Sequence, residues 1–286
     1  MDSNIDNLIV SLSDLSLLQN VIPSVSIDSV SIDSVSTTSV STTSVSITSV
    51  STTSLKIIKI QKYFRGYLYR VKRLPLIMYY IQNYLKTVLF KFSDQNEDGR
   101  INSCIDEDEV IKLLQEKFND KIRKPKIRMW YDLLVNDYFY GWIPVNIKTT
   151  TLMTSDNTGN LAMCVYAYTD EILDLHQNKS YENGKMSKVL IDKLKNRKYN
   201  SSHKKDYYFI VLNKTDNKDI IINSVKGLVI LTPNINNLPF QICWDKNRIF
   251  HYDLIHKKIK LFVDCLKKPK PSWKETFMEN IRSIDL

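Results

Sequence analysis

The sequence predicts an α/β or α+β domain after residue 93, preceded by two segments of different character. Three observations lead to this prediction. Predicted helices and strands alternate after residue 93, a basic amphipathic segment occupies residues 55–93, and a serine-rich repeat fills most of residues 1–54. Alternation of helices and strands over a segment of this length is typical of a sheet covered by helices. We therefore expect three parts, which are residues 1–54, 55–93 and 94–286.

Charge is distributed unevenly among these parts. Residues 1–54 contain five Asp and no Lys, Arg or Glu, whereas residues 55–93 contain nine Lys or Arg and no acidic residue. The whole chain has a formal net charge of +9, so residues 94–286 contribute only +5. The basic balance belongs mainly to the middle segment. It therefore does not mark the whole chain as a nucleic-acid-binding protein.

Cysteine usage and hydropathy bear on the compartment. The four cysteines are not close to one another in sequence, and the four histidines lack metal-ligand spacing. We expect reduced cysteines, no zinc site and an intracellular protein of the cytoplasm or nucleus. The N-terminus lacks a signal-peptide pattern, and no apolar run approaches the roughly 18 residues of a membrane span. A composition rich in Lys, Asn, Ile and Tyr resembles that of large DNA viruses of eukaryotes, whose proteins act in a host cell.

Residues 24–53 contain six copies of a five-residue repeat, Ser-Val-Ser followed by Ile or Thr and then by Asp or Thr. The alternation has the period of a strand, but the segment has no aromatic residue, no turn residue and little surface to bury. We expect a disordered, low-complexity spacer over residues 1–54. A phosphorylatable tract and a β-prone adhesive segment are the alternatives.

Residues 55–92 are predicted to be helical. Apolar residues recur at spacings of three and four and form one stripe, made of Ile57, Ile60, Phe64, Leu68 and Val71. Pro75 predicts a break near Leu74. A second amphipathic run follows and extends to Phe92.

The most specific motif of the chain lies in the first of these helices. The pattern apolar-Gln-x-x-x-Arg-Gly-x-x-x-Arg is matched by Ile60, Gln61, Arg65, Gly66 and Arg70. The segment is identified as an IQ motif, which implies that calmodulin or a calmodulin-like protein grips the helix. A Gly inside a helix costs about 1 kcal/mol relative to Ala, so a plain structural helix gains nothing from it. A basic helix that contacts DNA is the alternative.

The elements after residue 93 are predicted from periodicity. Helices are expected at 110–118, 160–168, 187–194 and 255–266, and strands at 127–135, 142–149, 207–212 and within 220–231. Residues 94–105 begin like an EF-hand calcium loop, with Asp94, Asn96, Asp98 and Gly99. Ile105 stands where that loop needs a Glu, so an acidic turn is the stronger interpretation and a calcium sensor the weaker one.

Charged and amide side chains in this domain form a candidate phosphodiester-cleaving site. Hydrolysis of a phosphodiester needs carboxylates that hold Mg²⁺ and a Lys that orients the attacking water. Side chains two apart on a strand share a face, and an unpaired carboxylate on the inward face of a helix is costly. The candidates are Asp132 on one predicted strand and Asp137 just after it, Asn146 and Lys148 on the next strand, and Glu107 on the preceding helix, with Glu109 as the alternative helix acid.

An Asp followed on the next strand by x-x-Lys resembles the PD-(D/E)XK nuclease superfamily. Further stretches similar to its type II restriction endonucleases are Gly99–Ser103, Ile143–Thr149, Ser155–Asn157, Asp206–Lys214 and Pro233–Gln241. The resemblance covers most of residues 97–266. It implies a restriction-endonuclease-like mixed sheet flanked by helices, a Mg²⁺-dependent endodeoxyribonuclease activity on double-stranded DNA, and a dimer.

The resemblance also implies roles for single residues. Asp132 would be the central metal ligand, joined by Glu107 and Asp137, while Lys148 would position the nucleophilic water. Contacts to DNA would come from Thr149, Asn157 and the adenine-reading Gln241. Asn146 stands where the family has an acid, and an amide brings no charge. The alternative function is therefore a non-catalytic adaptor whose IQ helix recruits calmodulin or a light chain.

Overall fold

The computed structural model confirms a mixed α/β fold with a five-stranded sheet and helices. The predicted repeat and the IQ motif lie outside the described residues. The structure describes residues 74–94, 99–125, 129–157, 159–176, 181–202, 204–234, 239–268 and 275–285.

The elements are numbered here in chain order. The helices are α1 (Leu76–Leu85), α2 (Gly99–Phe118), α3 (Leu161–Tyr168), α4 (Asn183–Lys195), α5 (Ile255–Leu266) and α6 (Glu275–Arg282). The strands are β1 (Ile122–Arg123), β2 (Leu133–Asp137), β3 (Gly141–Thr150), β4 (Tyr208–Asn213), β5 (Asp216–Ser224), β6 (Thr232–Pro233) and β7 (Phe240–Gln241).

The main sheet has the strand order β1-β2-β3-β4-β5. All neighbours in it are antiparallel except the central strand β3 and its neighbour β4, which run parallel. A parallel pair needs a long crossover connection, and here that connection carries α3 and α4. Strands β6 and β7 form a separate two-stranded sheet.

Both faces of the sheet are covered by apolar side chains. On one face, Val135 and Val145 pack in a buried cluster with residues of α1 and α2. On the other face, Phe209 and Val211 pack in a second cluster with residues of α3, α4 and α5. Consecutive strand residues point to opposite faces, so a sheet buried on both faces explains the nearly continuous apolar run of β4.

Helix α1 belongs to this core. Its Met78, Ile81 and Leu85 are fully buried in the cluster that contains Val135 and Val145, together with Ile220 and Ile222 of β5. The apolar core therefore includes residues from Leu74 onward, before the expected domain boundary at residue 94.

Several element bounds differ from the prediction. Of the strand expected at 127–135, residues 129–132 are not part of β2, which begins at Leu133. These residues bend where Trp130 packs its ring against Tyr166 and Tyr207. The helix expected from residue 110 begins at Gly99, so the whole second half of the calcium-loop pattern, residues 100–105, is helical. Helix α6 was not predicted.

Two other elements end earlier than predicted. The amphipathic run after Pro75 is helical only to Leu85, and a turn follows. The strand expected within 220–231 ends at Ser224, whose hydroxyl accepts a hydrogen bond from the N–H of Gly227. None of the four cysteines is disulfide-bonded. Within the described ranges, no helix is long and apolar enough to span a bilayer.

Candidate functional site

A cleft of about 630 Å³ lies beside α2 and the β2–β3 hairpin. It is lined by four of the predicted site residues, namely Glu107, Asp132, Asn146 and Lys148. The wall also contains apolar and aromatic residues, among them Met129, Trp130 and Tyr131. Seven of the thirteen lining residues are charged or amide residues, so the cleft suits a polar or charged ligand better than an apolar one.

Strand register places Asp132 beside Asn146. Asp132 directly precedes β2, and Leu133 lies opposite Val145 in the antiparallel pair. The Oδ2 atom of Asp132 accepts hydrogen bonds from Asn146 Nδ2 at 2.6 Å and from the N–H of Ile147 at 2.8 Å. The carboxylate is therefore fixed to the neighbouring strand rather than to its own.

Lys148 forms an ion pair with Glu107 across the cleft. The distance from Lys148 Nζ to Glu107 Oε1 is 2.8 Å, and the side chains are 25% and 15% exposed. Burial raises the pKa of Glu107, and Lys148 offsets only part of this effect. Burial lowers the pKa of Lys148, but the charges of Glu107 and Asp132 outweigh it and hold that pKa above its ordinary value. Lys148 is thus protonated at neutral pH.

The helix acid of the cleft is Glu107, since Glu109 is exposed and does not line the cavity. This placement follows from the helical register that the sequence predicted. The three apolar positions Val110, Ile111 and Leu114 are buried on the same helix, and residues three, four and seven positions apart share a helical face.

Asp156 is a neighbour of the cleft to which the sequence prediction gave no role. Burial raises the pKa of Asp156, and this effect is partly offset by the hydroxyl of Thr150 and by the charge of Lys148. The Oδ1 atom of Asp156 lies 3.4 Å from Thr150 Oγ1. The similarity of Ser155–Asn157 to type II restriction endonucleases marked this stretch, but it predicted a role for Asn157 and none for Asp156.

Asp137 is not brought to the cleft. Its Oδ1 atom accepts hydrogen bonds from the N–H groups of Phe139 and Tyr140 at 2.8 and 3.0 Å, and Oδ2 accepts one from Ile77 at 3.2 Å. Asp137 ends β2 whereas Asp132 precedes it, so the two lie at opposite ends of a strand that rises about 3.3 Å per residue. The structure therefore gives Asp137 the task of holding a turn and the first residues of α1.

The cleft offers oxygen atoms as possible metal ligands, and Mg²⁺ prefers oxygen ligands. Glu107 and Asp132 provide carboxylates and Asn146 provides an amide oxygen. No group of three or more His, Cys, Asp or Glu that could hold a metal ion occurs in the described part of the chain. Mg²⁺ is usually held by one or two carboxylates, with water and substrate phosphate completing its shell. The residues present fit that minimal set.

Two of the three predicted DNA-contacting residues lie together. The Oδ1 atom of Asn157 accepts hydrogen bonds from Gln241 Nε2 at 2.8 Å and from Asn234 Nδ2 at 2.5 Å. Asp156 forms an antiparallel bridge with Ile242, which follows Gln241. The cluster of amide side chains therefore lies next to Asp156, which is itself a neighbour of the cleft. Thr149 is almost fully buried, with 6% of its surface exposed.

Comparison with known families gives one match, and it lies outside the described residues. A model described as the IQ calmodulin-binding motif matches residues 56–72. The matched segment contains Ile60, Gln61, Arg65, Gly66 and Arg70 and supports a capacity to bind calmodulin, as the sequence predicted. No curated protein and no solved structure matches the chain.

Proposed function

We propose that this chain binds a calmodulin-like protein through residues 56–72 and hydrolyses DNA phosphodiester bonds with Mg²⁺ in the cleft. One observation carries the nuclease half of the proposal. Glu107, Asp132, Asn146 and Lys148 come from a helix, a strand entry and a second strand, and all line one cavity. Residues 41 positions apart, Glu107 and Lys148, are in direct contact there.

The protein groups have distinct tasks in this proposal. Asp132 and Glu107 would hold the metal, with Asn146 as a neutral third ligand. When bound, Mg²⁺ supplies Lewis acidity and a more acidic water molecule. The pKa of Lys148 is raised, so its ammonium serves as a donor to a phosphate oxygen or to the attacking water, and not as a base. The N–H of Ile147 keeps Asp132 in place.

Substrate contacts would come from the rim of the cleft. Lys124 lines the cavity and is 46% exposed, so its charge is available to a phosphate group once its pair with the exposed Asp108 opens. The amide cluster of Asn157 and Gln241 offers hydrogen-bond donors and acceptors to a nucleic acid. Thr149 is the weakest of the proposed contacts, since it is buried.

The nuclease half is tested by cleavage of supercoiled plasmid with the full chain, in Mg²⁺ and in EDTA, with and without calmodulin. We expect Mg²⁺-dependent nicking, reduced about 100-fold or more in Lys148→Ala, because loss of one transition-state donor typically has this effect. We expect a similar reduction in Asp132→Ala, because this change removes a proposed ligand of the metal. Lys218→Ala is the matched control, since Lys218 is exposed and does not line the cleft. Equal nicking by Lys148→Ala and the control would refute the site.

A second candidate function is the non-catalytic adaptor, and Asn146 favours it. With Asn in place of an acid, Glu107 and Asp132 are balanced in part by Lys148, which leaves the three groups with one net negative charge. Such a site holds a divalent cation weakly. Absence of nicking by the folded protein, together with calmodulin binding that is lost in Arg65→Ala and kept in Lys218→Ala, would establish the adaptor.

A further inference from the structure

An exposed apolar patch lies at the N-terminal end of α1. It consists of Leu76 and Tyr80 on the helix and Tyr138 and Phe139 in the β2–β3 turn, and we call it the α1 patch. These side chains are between 45% and 86% exposed. Leu76 and Tyr80 are four residues apart and therefore share one face of the helix. Large apolar groups gathered at one place on a surface mark an interaction site more often than scattered ones do.

Asp137 holds the two halves of the α1 patch together. Its carboxylate accepts hydrogen bonds from the N–H of Phe139, in the turn, and from the N–H of Ile77, in the first turn of α1. Asp137 is only 3% exposed, so these bonds are shielded from water. The patch is therefore a fixed surface made of a helix end and a turn, rather than two independent segments.

The α1 patch is close in sequence to the segment matched as an IQ motif. That match ends at Lys72 and α1 begins at Leu76. Four residues of extended chain span at most about 14 Å. A folded domain of about 70 residues has a radius of gyration of about 11 Å. A protein that grips the chain up to Lys72 is therefore large enough to reach the patch.

Charge distinguishes among the candidate occupants of the α1 patch. Residues 55–93 contain nine basic residues and no acid, and Lys86 and Lys91 in the described part are exposed. Helix α1 itself has no charged residue, but a second copy of the chain seated on the patch would bring two of these basic segments together. A partner with an acidic rim around an apolar groove complements both the aromatic groups of the patch and the basic residues that precede and follow α1 in the sequence.

We propose that the α1 patch is a second contact surface for the calmodulin-like protein held by residues 56–72. The proposal rests on the calmodulin-binding half of the proposed function and is independent of the nuclease half. The partner then contacts the folded domain as well as the IQ segment.

The test is the affinity of the full chain for calmodulin, measured by calorimetry with and without Ca²⁺. We expect Tyr80→Ser combined with Tyr138→Ser to weaken binding about tenfold or more, because buried aromatic groups dominate interface energies. Met153→Ser combined with Ile249→Ser is the matched control, since both residues are exposed, apolar and outside the patch. This control should bind as the wild type does.

Hydrogen exchange on the unaltered protein gives a second readout. Calmodulin should protect amides of residues 76–80 and 138–140, and protection confined to residues before 74 would overturn the proposal. Wild-type affinity in the patch variant would overturn it too, while loss of binding in Arg65→Ala would show that the IQ motif still functions. Wild-type affinity in Arg65→Ala would instead refute the IQ function. A wild-type dimer without calmodulin that the patch variant abolishes would identify a self-association surface and refute the proposal.

Discussion

Replacing Lys148 with Met should destabilise the domain and make its stability more strongly dependent on pH. The change keeps the apolar stem and removes the ammonium, so Glu107 loses the partner at 2.8 Å and remains near the charge of Asp132. Breaking a fully buried pair costs about 3–5 kcal/mol, whereas exposed pairs contribute about 0–1 kcal/mol. With side chains 25% and 15% exposed, we expect a loss of about 2–3 kcal/mol at pH 7.

The pH dependence follows from the pKa of Glu107. Burial already raises that pKa above its ordinary value of 4.5, and loss of Lys148 raises it further. For a carboxyl group whose folded pKa exceeds the unfolded one, the folded chain binds more protons between the two values. The extra stability is therefore present below the unfolded pKa and lost as pH rises through the folded pKa. The deficit of Lys148→Met should be small near pH 4 and complete at pH 7.

Urea unfolding at several pH values measures the effect, and Lys124→Met is the matched control. Lys124 and Asp108 are also 2.8 Å apart, but their side chains are 46% and 67% exposed. The control should cost less than about 1 kcal/mol. Adding Glu107→Gln to Lys148→Met should recover most of the loss. Equal costs at Lys148 and Lys124, or a deficit independent of pH, would refute the reasoning.

Two further predictions concern other buried groups. Burial lowers the pKa of Lys226 to about 8 from 10.5, so the unfolded chain binds more protons between these two pH values. The wild-type free energy of unfolding should therefore rise from pH 8 to 10 relative to that of Lys226→Met. Lys226 Nζ donates hydrogen bonds to three backbone carbonyl oxygens, and a constant difference would show that these bonds keep the ammonium charged. A Cβ on Gly227 would collide with Asn223 and Phe250, so Gly227→Ala should cost about 1–3 kcal/mol in thermal unfolding. Gly184→Ala, which meets open space in α4, should be neutral or stabilising by up to about 1 kcal/mol, and equal losses in the two variants would contradict the collision.

Periodicity predicted the elements whose burial is one-sided. Helix α5 was expected at the residues where it occurs because Ile259, Phe262, Val263 and Leu266 recur at helical spacing and are buried. Helix α2 was predicted eleven residues too short, since its first half is polar and carries the acids 106–109, so no apolar stripe marks it. Helix α6 has only two buried positions and follows a Lys- and Pro-rich stretch, which is typical of a loop.

The candidate cleft was predictable where it depends on local register. Alternation along a strand predicts that Asn146 and Lys148 share a face, and helical spacing predicts that Glu107 points inward. The distance of Asp137 from the cleft was not predictable, because it depends on where β2 begins. That point is decided by the packing of Trp130 against residues far away in sequence.

The parallel pairing of β3 and β4 has a consequence for the order of folding. The β2–β3 hairpin closes through a short turn, so Asp132 and Asn146 can meet as soon as that stretch of chain is free. Pairing of β4 with β3 must instead close a loop that contains all of α3 and α4, and such non-local contacts form late because their closure entropy comes first. The β2–β3 hairpin would then form before the sheet is complete. Substitutions at Asp132 should accordingly slow refolding, whereas substitutions in β4 should mainly speed unfolding.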